Sequence, residues 1–284
     1  MLLLQKEKKI MKIFLGPGGN CITTKESGTL ASFERLKELE LNAQEIEFVR
    51  NIYLSPKAAE EVGRQAKNYG IELSVHAPYF INLLSDKKET VNASIKRILE
   101  SVDRAERMGA KFVVAHAAYY GKLSKEEAFK KMKEITSKIV EEMEKMKIKN
   151  AKLAYETMAK ESQFADLDEL LDLMKEIKSK LLTVCVDFAH LYCRGNGKID
   201  YHQILEKIKN FDHVQSHFSN MKYNLKTKNF VDVHTPIDSH PPFEPLAKEI
   251  LKRKLTITII SESPKLELDS LKMKETFEKL GYKF

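Results

Sequence analysis

Along this chain of 284 residues, short apolar runs rich in Val and Ile alternate with longer amphipathic stretches, and eight such runs can be counted. The alternation is that of consecutive βα units, with strands expected near residues 12–15, 44–48, 71–75, 111–115, 151–155, 182–186, 213–217 and 255–260. Eight parallel strands, each followed by a helix, close into a (β/α)8 barrel, whereas a doubly wound open sheet would normally use fewer strands for this length. The expected fold class is therefore α/β, a single TIM barrel. No Gly-, Ser- or Pro-rich linker divides it, so one domain is expected over residues 11–284. Met11 directly precedes the first strand pattern, which leaves residues 1–10 as an N-terminal extension or an upstream start. A single domain of this size buries roughly 75% of its extended-chain surface, enough for one large core.

The stretches between the runs have physical helix starts and stops. Ser55 and Pro56 offer an N-cap and a first-turn proline, Val62 and Ala66 share a face, and Gly70 stands where a left-handed residue ends the element. Ser124 with Glu127 forms a capping box ahead of the apolar stripe Phe129, Met132, Ile135, Ile139 and Met143, which reads as core packing. The segment from Ser85 to Met108 repeats the logic through Ile95, Ile98, Leu99, Val102 and Ala105, and Gly109 stops it.

Composition narrows the partners without naming one. The net charge of +7 and pI near 9.0 favour anions in general. Lysines such as Lys130, Lys131, Lys133 and Lys145 lie on what read as outer helix faces and describe a solvated surface. Cys21, Cys185 and Cys193 form no CxxC pair, and an odd number argues against a disulfide framework, in keeping with a reducing cytoplasm. The opening MLLLQKEKKI is too short in apolar residues for a signal segment, and no apolar run approaches about 18 residues, so a soluble protein without membrane spans is expected.

Chemistry is concentrated at the ends of strand-like segments. Seven of them read ELSVHAPY (His76), KFVVAHAA (His116), KLAYETM (Glu156), LTVCVDFAH (Asp187, His190), DHVQSHFSN (His217), NFVDVHTP (Asp232, His234) and TITIISESP (Glu262). Barrel enzymes build their sites from the loops at the C-terminal face, so a polar residue just past a strand differs in meaning from one on a helix. A lone histidine there is more often a hydrogen-bonded structural residue, but so many histidines and carboxylates at equivalent ends point to a multinuclear metal site. In FVDVH, Asp232 and His234 are two apart and face one side of an extended segment, so both can grip one ion. In DFAH, Asp187 and His190 are three apart across a strand-to-loop turn and could serve neighbouring ions. Imidazole and carboxylate without thiolate suit zinc or manganese.

These fragments together resemble a known family, the zinc-dependent apurinic/apyrimidinic endonucleases of the endonuclease IV type, within the xylose isomerase-like barrels. The resemblance runs from about Lys12 to the C-terminus and rests on HAPYFINL (76–83), AH (115–116), YET (155–157), CVDFAH (185–190), SHFSN (216–220), VDVH (231–234) and ESP (262–264). It implies three zinc ions: His76, His116 and Glu156 for the first; Glu156 as a bridge with Asp187, His217 and Glu262 for the second; His190, Asp232 and His234 for the third. It further implies metal-assisted hydrolysis of the phosphodiester 5′ to an abasic site in double-stranded DNA, with Glu156 and Glu262 positioning water, by a monomer. Tyr79 in HAPYFINL matches a loop tyrosine of the family, and Arg50, just past the second strand, is a phosphate-contact candidate.

The chain also departs from that pattern. Asn220 stands where the family has Asp, TPIDSHPPFEP replaces a glycine-rich stretch after the DxH pair, and the first strand ends in GPGGN in place of a histidine-containing turn. Gly16, Gly18 and Gly19 could let backbone approach a phosphate, although such a turn is more often only a turn. Two other classes compete. A divalent-metal sugar isomerase or epimerase of the same superfamily needs only Glu156, Asp187, His217 and Glu262 around one ion; a non-catalytic DNA-binding barrel needs none. The remaining five ligands are superfluous to both and expected of a trinuclear phosphoesterase.

Overall fold

The computed structural model describes residues 11–284, so the expected extension over residues 1–10 lies outside the described residues. In chain order the first half comprises β1 (Ile13–Pro17), α1 (Thr29–Glu38), β2 (Ala43–Glu47), α2 (Pro56–Tyr69), β3 (Glu72–His76), α3 (Lys88–Met108), β4 (Phe112–Ala115), β5 (Ala118–Tyr119) and α4 (Lys125–Lys145). Then follow β6 (Lys152–Glu156), β7 (Gln163–Phe164), α5 (Leu167–Ile177), β8 (Leu182–Asp187), α6 (Phe188–Arg194) and α7 (Tyr201–Ile208). The last part holds β9 (Val214–Phe218), β10 (Asn220–Asn224), β11 (Asn229–Thr235), α8 (Phe243–Arg253), β12 (Ile257–Ser261) and α9 (Glu267–Lys279).

Eight parallel strands pair in the order β1-β12-β9-β8-β6-β4-β3-β2, which makes a nearly closed barrel with helices between the strands. Each lies within two residues of its predicted place. The two ends of the sheet meet at the β1/β2 seam through a Gly18 to Glu45 bridge, with Gly19 N donating to Glu45 O at 2.9 Å. Asn42 stitches the same seam: its Oδ1 accepts from Leu15 N at 2.8 Å and its Nδ2 donates to Ile13 O at 3.2 Å. Only glycine fits at position 16, because a Cβ there would lie 1.6 Å from the Ala43 carbonyl oxygen.

The caps form as their chemistry requires. Ser55 Oγ accepts from Ala58 N and Gly70 closes α2 at φ 71°, while Ser124 and Glu127 form both halves of a capping box on α4. Met132, Ile139 and Met143 turn into the core between barrel and helices. Inside the barrel the filling is different. Val114, Ala154 and Cys185 form a small apolar cluster of their own, and Glu45, Ser74 and Gln215 form a buried polar layer. Ser74 Oγ donates to Glu45 Oε2 at 2.7 Å and Gln215 Nε2 donates to the same oxygen at 3.1 Å. A hydrogen-bonded floor of this kind holds the side chains above it at fixed heights.

Two features differ from the sequence expectation. NFVDVHTP is a strand, but β11 pairs antiparallel with β10 in a hairpin outside the barrel, because five residues of β10 follow β9 almost at once and supply its partner. DFAH is a strand-to-helix junction: Asp187 caps α6, with its Oδ1 accepting from His190 N at 2.7 Å. The Pro-rich run after His234 is a connection leading from β11 into α8.

Candidate metal centre at the mouth of the barrel

The C-terminal ends of the strands bring the candidate ligands to one mouth. His76, Glu156 and Asp187 are the last residues of β3, β6 and β8; His217 is the penultimate residue of β9; His116 and Glu262 directly follow β4 and β12. His190 sits in the first turn of α6, and β11 brings Asp232 and His234 over the mouth with exposed Val233 between them. Three groups result, each with one potential ligand atom per residue and all such atoms within 4.8 Å of one another: His76, His116, Glu156; Glu156, Asp187, His217, Glu262; and His190, Asp232, His234.

Two carboxylates join the groups. Glu156 Oε2 lies 3.1 Å from His116 Nε2 and 3.4 Å from His76 Nε2, while its Oε1 lies 3.2 Å from His217 Nδ1. Glu262 Oε1 lies 3.3 Å from His217 Nδ1 and its Oε2 4.0 Å from His234 Nε2.

Each of three histidines has one ring nitrogen hydrogen-bonded and the other aimed at carboxylates. His76 Nδ1 meets Ala77 O at 2.7 Å, His190 Nδ1 meets Thr157 O at 3.0 Å, and His234 Nδ1 meets Ser219 Oγ at 2.7 Å. His217 turns Nδ1 to Glu156 and Glu262, while its Nε2 lies 2.8 Å from the Glu45 carboxylate in a contact that lacks hydrogen-bond geometry. Tying one nitrogen as N–H leaves the lone pair of the other for a cation, which is how ligating histidines are oriented. Thr157 also accepts from Asp187 N through its Oγ1 at 2.9 Å, so this one residue positions two candidate ligands.

The electrostatics fit a cation. Burial raises the Glu156 carboxyl, but His217 and His116 outweigh it and hold it well below the usual carboxylate range. Burial lowers His190, yet Asp187, Asp232 and Glu156 raise it well above the usual imidazole range, and His76, lowered by burial, is raised to about 10 chiefly by Glu47. These imidazoles hold protons that a metal ion would replace. Asp187 Oδ2 is buried and has no hydrogen-bond partner, an orphan within the second group that a cation would satisfy. No cysteine belongs to any of the three groups, so nitrogen and oxygen ligands suit zinc or manganese.

The two DNA-contact candidates stand at the rim. Tyr79 is 46% exposed, its ring centroid 5.2 Å from that of His76 and 5.6 Å from that of His116. Arg50 is exposed in the turn after β2 and does not line the cavity, although its neighbour Val49 does. The GPGG amides are committed within the fold: Gly18 N donates to Ser261 O and Gly19 N to Glu45 O, each at 2.9 Å, so the turn presents neither to a phosphate. Asn220 has a structural task. Its Oδ1 accepts from Asp238 N and Ser239 N, and its Nδ2 donates to Pro241 O at 2.6 Å, pinning the loop after His234 to the base of the hairpin. Aspartate could accept there but not donate.

Sequence reasoning missed Glu45 and Glu47 on β2 and Lys160 beyond β6. Glu45 and Glu47 are two apart in AQEIEF, and period-two reading of the predicted strand at 44–48 would have aimed both into the barrel. Lys160 Nζ lies 3.3 Å from Asp232 Oδ2, a pairing that no spacing announces. Glu47 lines the mouth cavity of about 480 Å³ together with His116, His190, Asp232, His234 and Glu262.

A family model described as xylose isomerase-like TIM barrel matches residues 33–280. An uncharacterized protein of Methanocaldococcus jannaschii is 31% identical over 96% of this chain and 99% of its own length. A probable endonuclease 4 of Mycoplasmopsis synoviae is 26% identical over 68% of this chain and 69% of its own. Among solved structures, a D-tagatose 3-epimerase-like protein superimposes with a TM-score of 0.71 at 22% identity, covering 95% of this chain and 96% of that one. Similarity of fold at that identity extends to both nucleases and epimerases and selects neither. The strand order and the matched span carry one conclusion: the chain belongs to the xylose isomerase-like TIM barrel family.

Proposed function

We propose that this protein is a zinc-dependent phosphodiester hydrolase of the endonuclease IV type, which cleaves double-stranded DNA 5′ to abasic sites. One observation carries the reading: nine ligand-type side chains converge in three groups, five more than a single-ion sugar isomerase uses. His76, His116 and Glu156 would hold one ion, Glu156, Asp187, His217 and Glu262 a second, and His190, Asp232 and His234 a third. Zinc supplies Lewis acidity and water activated at neutral pH.

The chain's own residues do the rest. Glu156, shared between two groups, and Glu262, which reaches from its own group toward His234, fix the spacing of the site and orient the attacking water from two sides. Lys160 stands beside Asp232 at the cavity wall, where its ammonium faces an entering phosphate. The β10–β11 hairpin that delivers Asp232 and His234 exposes Lys222, Lys226 and Lys228, charges suited to the DNA backbone. Tyr79 on the rim offers a ring against an extruded sugar, and Arg50 a phosphate contact. Similarity to a probable endonuclease 4 over most of the chain supports the same assignment.

A second reading has its own support. Glu156, Asp187, His217 and Glu262 alone make a single-ion quartet, and the fold matches an epimerase-like structure. Elemental analysis of the purified protein separates the two. Close to three tightly bound zinc ions are expected; one manganese or magnesium ion would move the case to a sugar isomerase or epimerase, and no metal to a non-catalytic DNA-binding barrel.

A further inference from the structure

Among the described residues thirteen large apolar or aromatic side chains are exposed, and all but Met146 and Phe284 stand in a connection that follows a barrel strand or in the first turn of the helix after it. Both places lie at the C-terminal end of the barrel, so the apolar exposure of this chain is gathered on the face that holds the three ligand groups. Exposure concentrated on one face marks an interaction surface, where scattered residues would not. Its extreme member is Leu225, 83% exposed at the tip of the β10–β11 hairpin and the most exposed of the thirteen.

The hairpin holds that side chain out. The Tyr223 ring meets the Phe230 ring at 5.1 Å between centroids, Phe230 meets Tyr192 of α6 at 4.7 Å, and Phe230 N donates to Asn196 Oδ1 at 3.2 Å. These contacts seat the ribbon on α6. Beyond the Asn224–Asn229 pair, Asn224 Oδ1 accepts from Lys226 N at 2.9 Å, so Leu225 projects from a hydrogen-bonded turn. There it contributes almost no burial to the fold, and its apolar surface is available to a partner.

Charge defines that partner. Lys222, Lys226 and Lys228 flank Leu225, all exposed and without a carboxylate partner among the described residues, and no acidic residue occurs from Asn220 to Val231. A second copy of the chain, with its net charge of +7, is repelled from such a tip. Duplex DNA offers phosphates at regular spacing for the ammonium groups and apolar base faces between steps for one aliphatic side chain. A two-stranded ribbon also has the width to enter a groove. Leu225 stands one residue past the Asn224–Asn229 pair and Asp232 three residues to its other side, a separation of roughly 13 Å along the ribbon.

We propose that the β10–β11 hairpin is a wedge for duplex DNA, with Leu225 entering between two base pairs within about four steps of the cleaved phosphodiester and the three lysines holding the flanking phosphates. The inference rests on the nuclease reading for its partner, and it deepens that reading by assigning a contact that opens the base stack away from the metal centre. Burial of the leucine offsets the cost of unstacking, so DNA that bends or unstacks readily beside the lesion is bound best.

Duplexes with one abasic site and 2-aminopurine, whose fluorescence rises when it unstacks, at successive positions on either side of the lesion test it. Binding is read with the Glu262→Ala protein, which leaves the DNA uncut, alone and combined with Leu225→Ala or Leu225→Met. With Leu225 present, fluorescence is expected to rise at a position away from the lesion. Leu225→Ala loses that rise and binds about tenfold more weakly, with the salt slope unchanged because the lysines remain. Leu225→Met, which keeps a long apolar side chain, retains most of both. A rise that survives Leu225→Ala, or no rise at any position, overturns the wedge and leaves the nuclease standing. Self-association that Leu225→Ala removes, with DNA binding unchanged, assigns the tip to a second copy and overturns the wedge as well. A protein that binds neither abasic nor intact duplex overturns the nuclease reading and the wedge together.

Discussion

Replacing Ser219 by alanine tests the most local link between the fold and the proposed third ion. Ser219 is fully buried, its Oγ takes the His234 Nδ1 contact at 2.7 Å and donates to Asn220 O at 3.2 Å. Without that oxygen His234 is free to rotate and to adopt the other tautomer, which would present N–H where a lone pair is needed. Removal of such a supporting hydrogen bond lowers metal affinity about 10- to 100-fold, which is about 1.4–2.8 kcal/mol. The fold itself should lose only about 1 kcal/mol, the net worth of one hydrogen bond. Because the Ser219 side chain hydrogen-bonds to no other candidate ligand among the described residues, the penalty should fall on one ion of three. The assay is a chelator titration with elemental analysis at each step. In Ser219→Ala one ion is expected to leave at 10- to 100-fold lower chelator activity than in wild type, the other two at unchanged activity. Simultaneous release of all the ions, or release indistinguishable from wild type, would refute the division into groups.

Further outcomes follow from the same geometry. Metal uptake should release protons, and affinity should rise with pH, because imidazoles protonated in the metal-free site must deprotonate to bind; proton release in weakly buffered solution measures it. In the metal-free protein, His76 has its folded pKa raised from 6.5 to about 10, so its contribution to stability is complete below pH 6.5 and is lost as pH rises through 10; melting temperatures across that window check the sign. Asn220→Asp removes the donor to Pro241 O and should cost about 1–3 kcal/mol in denaturant unfolding while loosening the loop behind His234. Alanine at Lys222, Lys226 and Lys228 should lower the slope of log affinity for duplex DNA against log salt by about 0.9 for each phosphate that is no longer neutralised.

The barrel was legible because each buried strand carries its own Val and Ile run and each helix its own cap. Gly70 and Gly109 mark chain ends of helices that the structure places at φ 71° and 70°. The clustering of His76, His116, Glu156, Asp187, His190, His217, Asp232, His234 and Glu262 was equally legible, since strand ends in a barrel must converge. What stayed hidden depends on pairing rather than periodicity. The strand β10, NMKYN, is polar and short, and only its antiparallel register with β11 makes it a strand. Glu45 and Glu47 lie within a predicted strand instead of past its end, so attention to the strand ends passed over them. Asn220 differs from the family pattern for a reason visible only in three dimensions, its simultaneous hold on Asp238, Ser239 and Pro241.

The most direct measurement is incision of a duplex carrying a single abasic site by zinc-loaded protein, with the nick mapped at nucleotide resolution. A single cut immediately 5′ to the lesion, leaving a 3′-hydroxyl, is expected, and Asp232→Ala and Glu262→Ala should each abolish it although both fold. An uncut duplex at full zinc occupancy, with the same preparation interconverting a free ketose, would contradict the phosphodiesterase and establish the sugar enzyme in its place.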